Sequence, residues 1–144
     1  MKLHIRTFGC QANIADSETI AGILKQNNYE LTEDENEADT IIVNTCSVKN
    51  ATQSKELHYI KEKSKTKKVI VGGCLTKTID IRKYAPGVTA VFDTNSIFKV
   101  PEILETEQDH FSDKKENRSL APIIRNDNNI GIVSIGEGCL NSCT

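Results

Sequence analysis

Apolar positions along the chain fall into short blocks whose period switches between strand-like and helix-like spacing. Residues 2–8 alternate, with Leu3 and Ile5 on one side, which predicts a strand. Over 13–26, Ile14, Ile20, Ile23 and Leu24 follow helical spacing, with Asp16 and Glu18 in the expected first turn, where the helix dipole favours anions. Residues 29–32 predict a short edge strand, and 33–39 form an acidic connection. Ile41, Ile42 and Val43 within 40–44, and later Val69, Ile70 and Val71, are unbroken apolar runs, as expected of strands buried on both faces. Between them, 50–65 predicts a helix, opened by Asn50 and Gln53 at capping-box spacing and buried through Leu57 and Ile60. A short helix over 79–84 ahead of Pro86, a strand over 88–92 and a closing helix over 97–104 complete the series.

The order β-α-β-β-α-β-α-β-α predicts an α/β domain over 1–105, a flavodoxin-like, mostly parallel sheet of order 2-1-3-4-5 flanked by helices. The pattern then breaks. Residues 106–129 are largely polar and charged, with one apolar island around 120–124, and predict a linker or extended arm. Residues 130–135 predict a new strand, and the loop Gly136-Glu137-Gly138 leads from it to Cys139, so 130–144 reads as the opening of a second domain.

Composition narrows the function classes. A length of 144 residues suits one compact domain with an appendage and supports a core without disulfide staples. The net charge of −2 offers no global field for nucleic acid, and with no Trp and 5% aromatics a stacking platform for single strands is not expected. The first residues carry Lys2 and Arg6 and alternate, unlike a signal peptide, which points to a cytoplasmic protein. In that compartment the five cysteines are poorly explained by disulfides, and metal binding, catalysis or buried core thiols remain.

Cys10, Cys46 and Cys74 each lie just past a predicted strand. In a parallel sheet these ends share one rim, and in the expected order the three strands are neighbours, about 4.8 Å apart at each step. That rim is where α/β sheets bind ligands. Gly9 precedes Cys10, Asn44 and Thr45 precede Cys46, and Gly72 and Gly73 precede Cys74. Glycine permits close approach to a bulky group, and Asn and Thr bond turn backbone. Each loop also leads toward a helix start, whose free N–H groups favour a thiolate or an anionic cluster. A lone cysteine is ordinarily an inert core thiol, but three in equivalent positions beside such residues are not what core packing predicts. Sulfur donors select zinc, copper(I) or iron–sulfur clusters. A structural zinc takes four protein ligands, and none of His4, His58 and His110 is placed as a fourth. A [4Fe–4S] cluster held by three thiolates keeps one iron open. Cys139 and Cys143 form a C-x3-C pair, two thirds of a C-x3-C-x2-C cluster motif.

The stretches Gly9-Cys10-Gln11-Ala12-Asn13 with Asp16-Ser17-Glu18, Val43-Asn44-Thr45-Cys46, and Gly72-Gly73-Cys74-Leu75 strongly resemble the N-terminal domain of radical-SAM methylthiotransferases. Gly136-Glu137-Gly138-Cys139 through Cys143-Thr144 resembles the opening of that family's radical-SAM domain. The resemblance implies that Cys10, Cys46 and Cys74 bind an auxiliary [4Fe–4S] cluster whose open iron carries the sulfur to be transferred. It implies that Cys139 and Cys143 belong to a second cluster, which cleaves S-adenosyl-L-methionine to a radical that takes hydrogen from the target carbon. Family members modify adenosines beside the tRNA anticodon or a ribosomal-protein aspartate. Ser47-Val48-Lys49-Asn50 and the Glu137-Gly138-Cys139-Leu140 opening look most like the branch that adds the methylthio group to threonylcarbamoyladenosine, with isopentenyladenosine the alternative. The resemblance makes tRNA the partner of a longer enzyme, leaves the sulfur donor and oligomeric state open, and implies that this chain alone is an inactive fragment. Two other classes stay in view: a flavodoxin-like module holding a small anion, against which the lack of a glycine-rich phosphate loop counts, and a zinc-stabilised interaction domain. Lys61, Lys63, Lys65, Lys67 and Lys68 form a basic run, expected to be a solvated helix end before a tRNA contact.

Overall fold

The computed structural model describes residues 1–47, 50–114, 116–118, 120–127 and 129–133. The elements are β1 (Lys2–Thr7), α1 (Gln11–Gln26), β2 (Glu30–Leu31), β3 (Thr40–Thr45), α2 (Asn50–Lys63), β4 (Lys68–Gly73), β5 (Ala90–Val91) and α3 (Val100–Thr106). Turns of 3-10 helix occupy Cys74–Lys77, Ile81–Lys83 and Thr94–Lys99. The five strands form one sheet of order β2-β1-β3-β4-β5, and every pairing is parallel, as the sequence predicts.

The unbroken apolar runs sit where both faces are covered. Ile42, with Ile5 and Ile70 as its register neighbours, faces α1 and α3 together with Leu3, Ile20, Leu24, Val100 and Ile103. Ile41 and Val43 face the other way, against Ile60 of α2 and against Val69, Val71, Leu75 and Ile81. Alternate residues of β3 therefore feed two cores, and each buried Ile or Val contributes roughly 1.5–3 kcal/mol to holding the central strand.

Several boundaries differ from expectation. Helix α1 begins at Gln11, two residues earlier than the apolar stripe suggests, with Cys10 as its N-cap. Asp16 and Glu18 therefore lie beyond the first turn and are not dipole partners. The expected helix over 79–84 is a 3-10 turn at Ile81–Lys83, opened by Asp80, whose carboxylate accepts the Arg82 N–H at 3.1 Å. The expected strand over 88–92 contracts to Ala90–Val91, and the closing helix follows a 3-10 turn, with Pro101 at its start. Residues 130–133 form no strand, and 134–144, with Cys139 and Cys143, lie outside the described residues.

Beyond α3 the chain stays on the domain. Asp109 accepts the Val91 N–H at 2.9 Å and pairs with Arg82, and His110 bridges to Phe92, so this stretch covers the open side of β5. Arg118 then pairs with Asp16 of α1. The basic run is spent largely on the fold. Lys63 pairs with Glu35, Lys65 with Glu62 and Lys68 with Glu107, while Lys67 donates to the Asn36 and Ala38 carbonyls at 2.8 and 2.6 Å.

Candidate functional site

Cys10, Cys46 and Cys74 follow the C-terminal ends of β1, β3 and β4, three adjacent strands, and all three are free thiols on one rim. The loop from β1 to α1 is tight. Gly9 has φ +112°, a left-handed conformation that L side chains rarely adopt, and a Cβ there would stand 2.8 Å from Cys46 Sγ. The glycine thus lets the first loop lie directly over the second cysteine. Cys10, exposed, is the N-cap residue of α1, and its side chain makes no capping bond to the helix backbone. Its thiol donates to Asn13 Oδ1 at 3.3 Å.

Asn13 links the first loop to the second. It is 2% exposed, and its carboxamide donates to the Thr45 carbonyl at 2.7 Å and to Asn44 Oδ1 at 3.3 Å. Asn44 returns the contact, donating to the Asn13 carbonyl at 2.8 Å and to Ser17 Oγ at 3.0 Å, and Thr7 Oγ1 donates to the same Ser17 oxygen at 2.7 Å. Buried polar groups at the strand ends are thus mutually satisfied, which fixes the start of α1 over the end of β3. Thr45 Oγ1 donates to the Gly72 carbonyl at 2.5 Å and ties β3 to β4.

Behind Cys46 lies a group that pattern reading missed. Glu56 of α2 is fully buried and accepts the Cys46 N–H at 3.1 Å on Oε2, while its Oε1 has no partner among the described residues. Burial pushes its carboxyl up to about 7, against the opposing pull of the Cys46 N–H. The signal was present: Glu56 stands four residues before Ile60, on the buried stripe of α2.

Cys74, half-buried, opens the 3-10 turn after β4, not the α-helix start expected of that loop. Gly73 before it has φ +99°, and a Cβ there would meet the Thr45 carbonyl oxygen at 2.3 Å. Burial pushes the Cys74 thiol up, reinforced by Cys46, Asp16 and Cys10 and countered by Lys77. Lys77 is held 3.1 Å from the buried Asp93, whose other oxygen accepts from Ser96 Oγ at 2.5 Å. His110 continues this chain of contacts at Ser96 Oγ, 3.0 Å away; His4 bonds the Thr32 carbonyl, and His58 is exposed on α2.

Among the described residues, no three His, Cys, Asp or Glu side chains are gathered as a single metal ion would require. A mononuclear ion draws all its thiolates to within about 2.3 Å of one point. A four-iron cluster instead takes one thiolate per iron, so its ligands stand apart around a larger body. The soft donor set fits such a cluster, and the two glycines let the three loops that carry the cysteines pack closely against one another. Cys139 and Cys143 lie outside the described residues. Among the described residues no helix is long and apolar enough to cross a membrane.

Similarity to known proteins corrects one expectation. The chain is 37% identical over its whole length to the tRNA-2-methylthio-N(6)-dimethylallyladenosine synthase of a Sulfurihydrogenibium species, and spans 37% of that protein. It is 34% identical over its whole length to the synthase of the same name from Fervidobacterium nodosum, spanning 35% of it. It is 32% identical over 99% of its length to that of Aquifex aeolicus, spanning 36%. These relatives are tRNA methylthiotransferases named for dimethylallyladenosine (isopentenyladenosine), so the threonylcarbamoyladenosine branch expected from 47–50 and 137–140 gives way to the alternative. That expectation rested on two four-residue stretches, which weigh little against similarity along the whole chain. The model of "Uncharacterized protein family UPF0004" matches residues 2–93, which contain all three rim cysteines, and the chain belongs to that family.

Proposed function

We propose that this chain is the auxiliary-cluster module of a tRNA methylthiotransferase that acts on dimethylallyladenosine, with Cys10, Cys46 and Cys74 as the ligands of a [4Fe–4S] cluster. In this reading 1–105 is the cluster domain, 106–129 joins it to the next, and 130–144 opens a radical-SAM domain. There Cys139 and Cys143 supply two thiolates of a second cluster that works with S-adenosyl-L-methionine. The catalytic steps need the whole enzyme, and this chain alone is inactive. The observation that carries the reading is the placement of three cysteines just past the ends of adjacent strands, each beside glycine or the Asn44–Asn13 network.

Bound there, the cluster would supply an iron free of protein ligands, a soft Lewis-acid position for a sulfur-bearing group. The chain's own residues prepare the rim. Asn13 orients the Cys10 thiol, Gly9 closes the first loop over Cys46, Glu56 fixes the Cys46 backbone, and Lys77 offsets negative charge beside Cys74.

Anaerobic reconstitution tests this directly. The parent chain should take up about four irons and as many sulfides at the rim. A Cys10→Ala, Cys46→Ala, Cys74→Ala variant should lose them. Equal iron in both, or zinc in place of iron, would sink the proposal. The nucleoside is tested in cells lacking the full-length protein: tRNA should lose the methylthio group on isopentenyladenosine and keep it on threonylcarbamoyladenosine.

A further inference from the structure

We infer that Glu18 is a positioning residue that clamps the segment 118–126 to α1, so that the chain leaves the sheet domain as a fixed strut and not as a tether. The inference rests on the reading above, in which the rim thiols and a second cysteine pair serve one reaction. Glu18 lies in α1 and is 2% exposed. Its Oε1 accepts the Asn126 N–H at 3.1 Å, its Oε2 accepts from Arg125 Nη1 at 3.4 Å, and its main-chain carbonyl accepts the Ile124 N–H at 3.0 Å. Arg125 donates onward to the Ile132 carbonyl at 3.1 Å, which ties the later chain to the same anchor.

One turn along α1, Gly22 leaves the room this segment needs: a Cβ there would meet the Pro122 carbonyl oxygen at 2.2 Å. At the other end Arg118 pairs with Asp16 and donates to the Thr94 carbonyl. The contacts follow a path. Residue 118 lies at Asp16, 122 at Gly22, and 124–126 at Glu18, so the segment runs down α1 and turns back toward the end capped by Cys10.

A polar segment of this composition, left free, would spread over roughly 15–18 Å r.m.s.. The clamp removes that freedom. A buried carboxylate is a poor source of net stability, because desolvation offsets the attraction it gains, but it selects the one register in which its bonds are met. Glu18 thus sets where the strut lies more than how stable the domain is. In a two-cluster enzyme that fixes the origin from which the second cysteine pair is carried.

The test uses spin labels on the exposed Cys10 and on Val133→Cys, in the full chain with Cys46→Ser, Cys74→Ser, Cys139→Ser and Cys143→Ser. The parent should give a narrow distance distribution by double electron–electron resonance, and Glu18→Ala a broad one. The Ile124 and Asn126 amides should exchange at least about ten-fold more slowly than a free segment in the parent and lose that protection in the variant, while the Ile42 and Ile70 amides stay protected. Ile124→Pro removes the N–H donor without touching either core and should reproduce the broadening. A broad distribution in the parent, or an unchanged width in both variants, overturns the inference. Neither readout needs iron, so failed metal loading would remove the proposed function and leave the clamp standing, and the reverse also holds.

Discussion

Asn44→Ala is the sharpest perturbation of the rim that leaves every cysteine in place. Asn44 is 1% exposed and donates to the Asn13 carbonyl at 2.8 Å and to Ser17 Oγ at 3.0 Å. Both bonds are lost in the variant, at about 1 kcal/mol each. The bond it accepts from Asn13 is long, 3.3 Å, and adds little. The penalty for stranded partners is small, because Asn13 Nδ2 keeps the Thr45 carbonyl at 2.7 Å and Ser17 Oγ keeps Thr7 Oγ1 at 2.7 Å. The space left by the carboxamide adds under about 1 kcal/mol. The sum is a loss of about 2–3 kcal/mol. With a urea m-value of roughly 1.5 kcal/mol/M, the midpoint should fall by about 1.3–2 M. Much of the loss should be local, since these bonds hold the start of α1, with Gly9, over Cys46. Cys46 is 5% exposed, and if opening becomes easier by about 2 kcal/mol its alkylation by iodoacetamide should accelerate about 30-fold. A midpoint shift below about 0.3 M, or unchanged Cys46 reactivity beside a large shift, would refute the claim that this network secures the rim.

Two further perturbations follow from the same geometry. Gly9→Ala places a Cβ 2.5 Å from Cys46 Cβ at φ +112°, so it should cost about 2–4 kcal/mol in thermal or urea unfolding and lower iron uptake; wild-type values for both would mean the first loop does not rest on Cys46. Asp93 carries a pH signature: burial alone would raise its carboxyl, but the Ser96 hydroxyl, the Lys77 ammonium and the Ser112 N–H hold it below its ordinary 3.8. A carboxyl lowered in the fold adds stability above its unfolded value and loses it as pH falls through the folded value. Asp93→Asn should therefore be less stable than the parent by about 1–2 kcal/mol at pH 7, with the gap closing below about pH 4, and a gap constant down to pH 3 would sink this account.

What could be read from the sequence, and what could not, divides by the kind of interaction. The two interior strands followed from Ile41-Ile42-Val43 and Val69-Ile70-Val71, because a strand buried on both faces must be apolar throughout, while the order 2-1-3-4-5 came from the likeness of the element series to flavodoxin-like sheets. The cysteine rim followed from strand order alone. The start of α1 did not follow, because its cap is Cys10, outside the Ser, Thr, Asp and Asn set that marks most helix starts, so two residues of helix were missed. The same error made Asp16 and Glu18 look like dipole acids. Segment 118–126 reads as linker or arm for a related reason. Its hold on α1 comes from Arg pairs, backbone N–H groups meeting a carboxylate, and a glycine that makes room, none of which leaves an apolar period. Glu56 shows the converse, a charge within an apolar stripe, visible in the sequence but without meaning until Cys46 N–H is found beside it.

These cases share one physical cause. Hydrophobic burial is summed over many residues and writes a periodic signal, whereas a polar clamp depends on single atoms meeting across long sequence separations. The sheet of this protein belongs to the first kind. The features that turn its rim into a candidate cluster site, Asn44 on Asn13, Gly9 over Cys46 and Glu56 behind it, belong to the second. A substitution that preserves every apolar position can therefore leave the sheet intact and still displace the thiols. Asn44→Ala and Gly9→Ala are expected to separate the two.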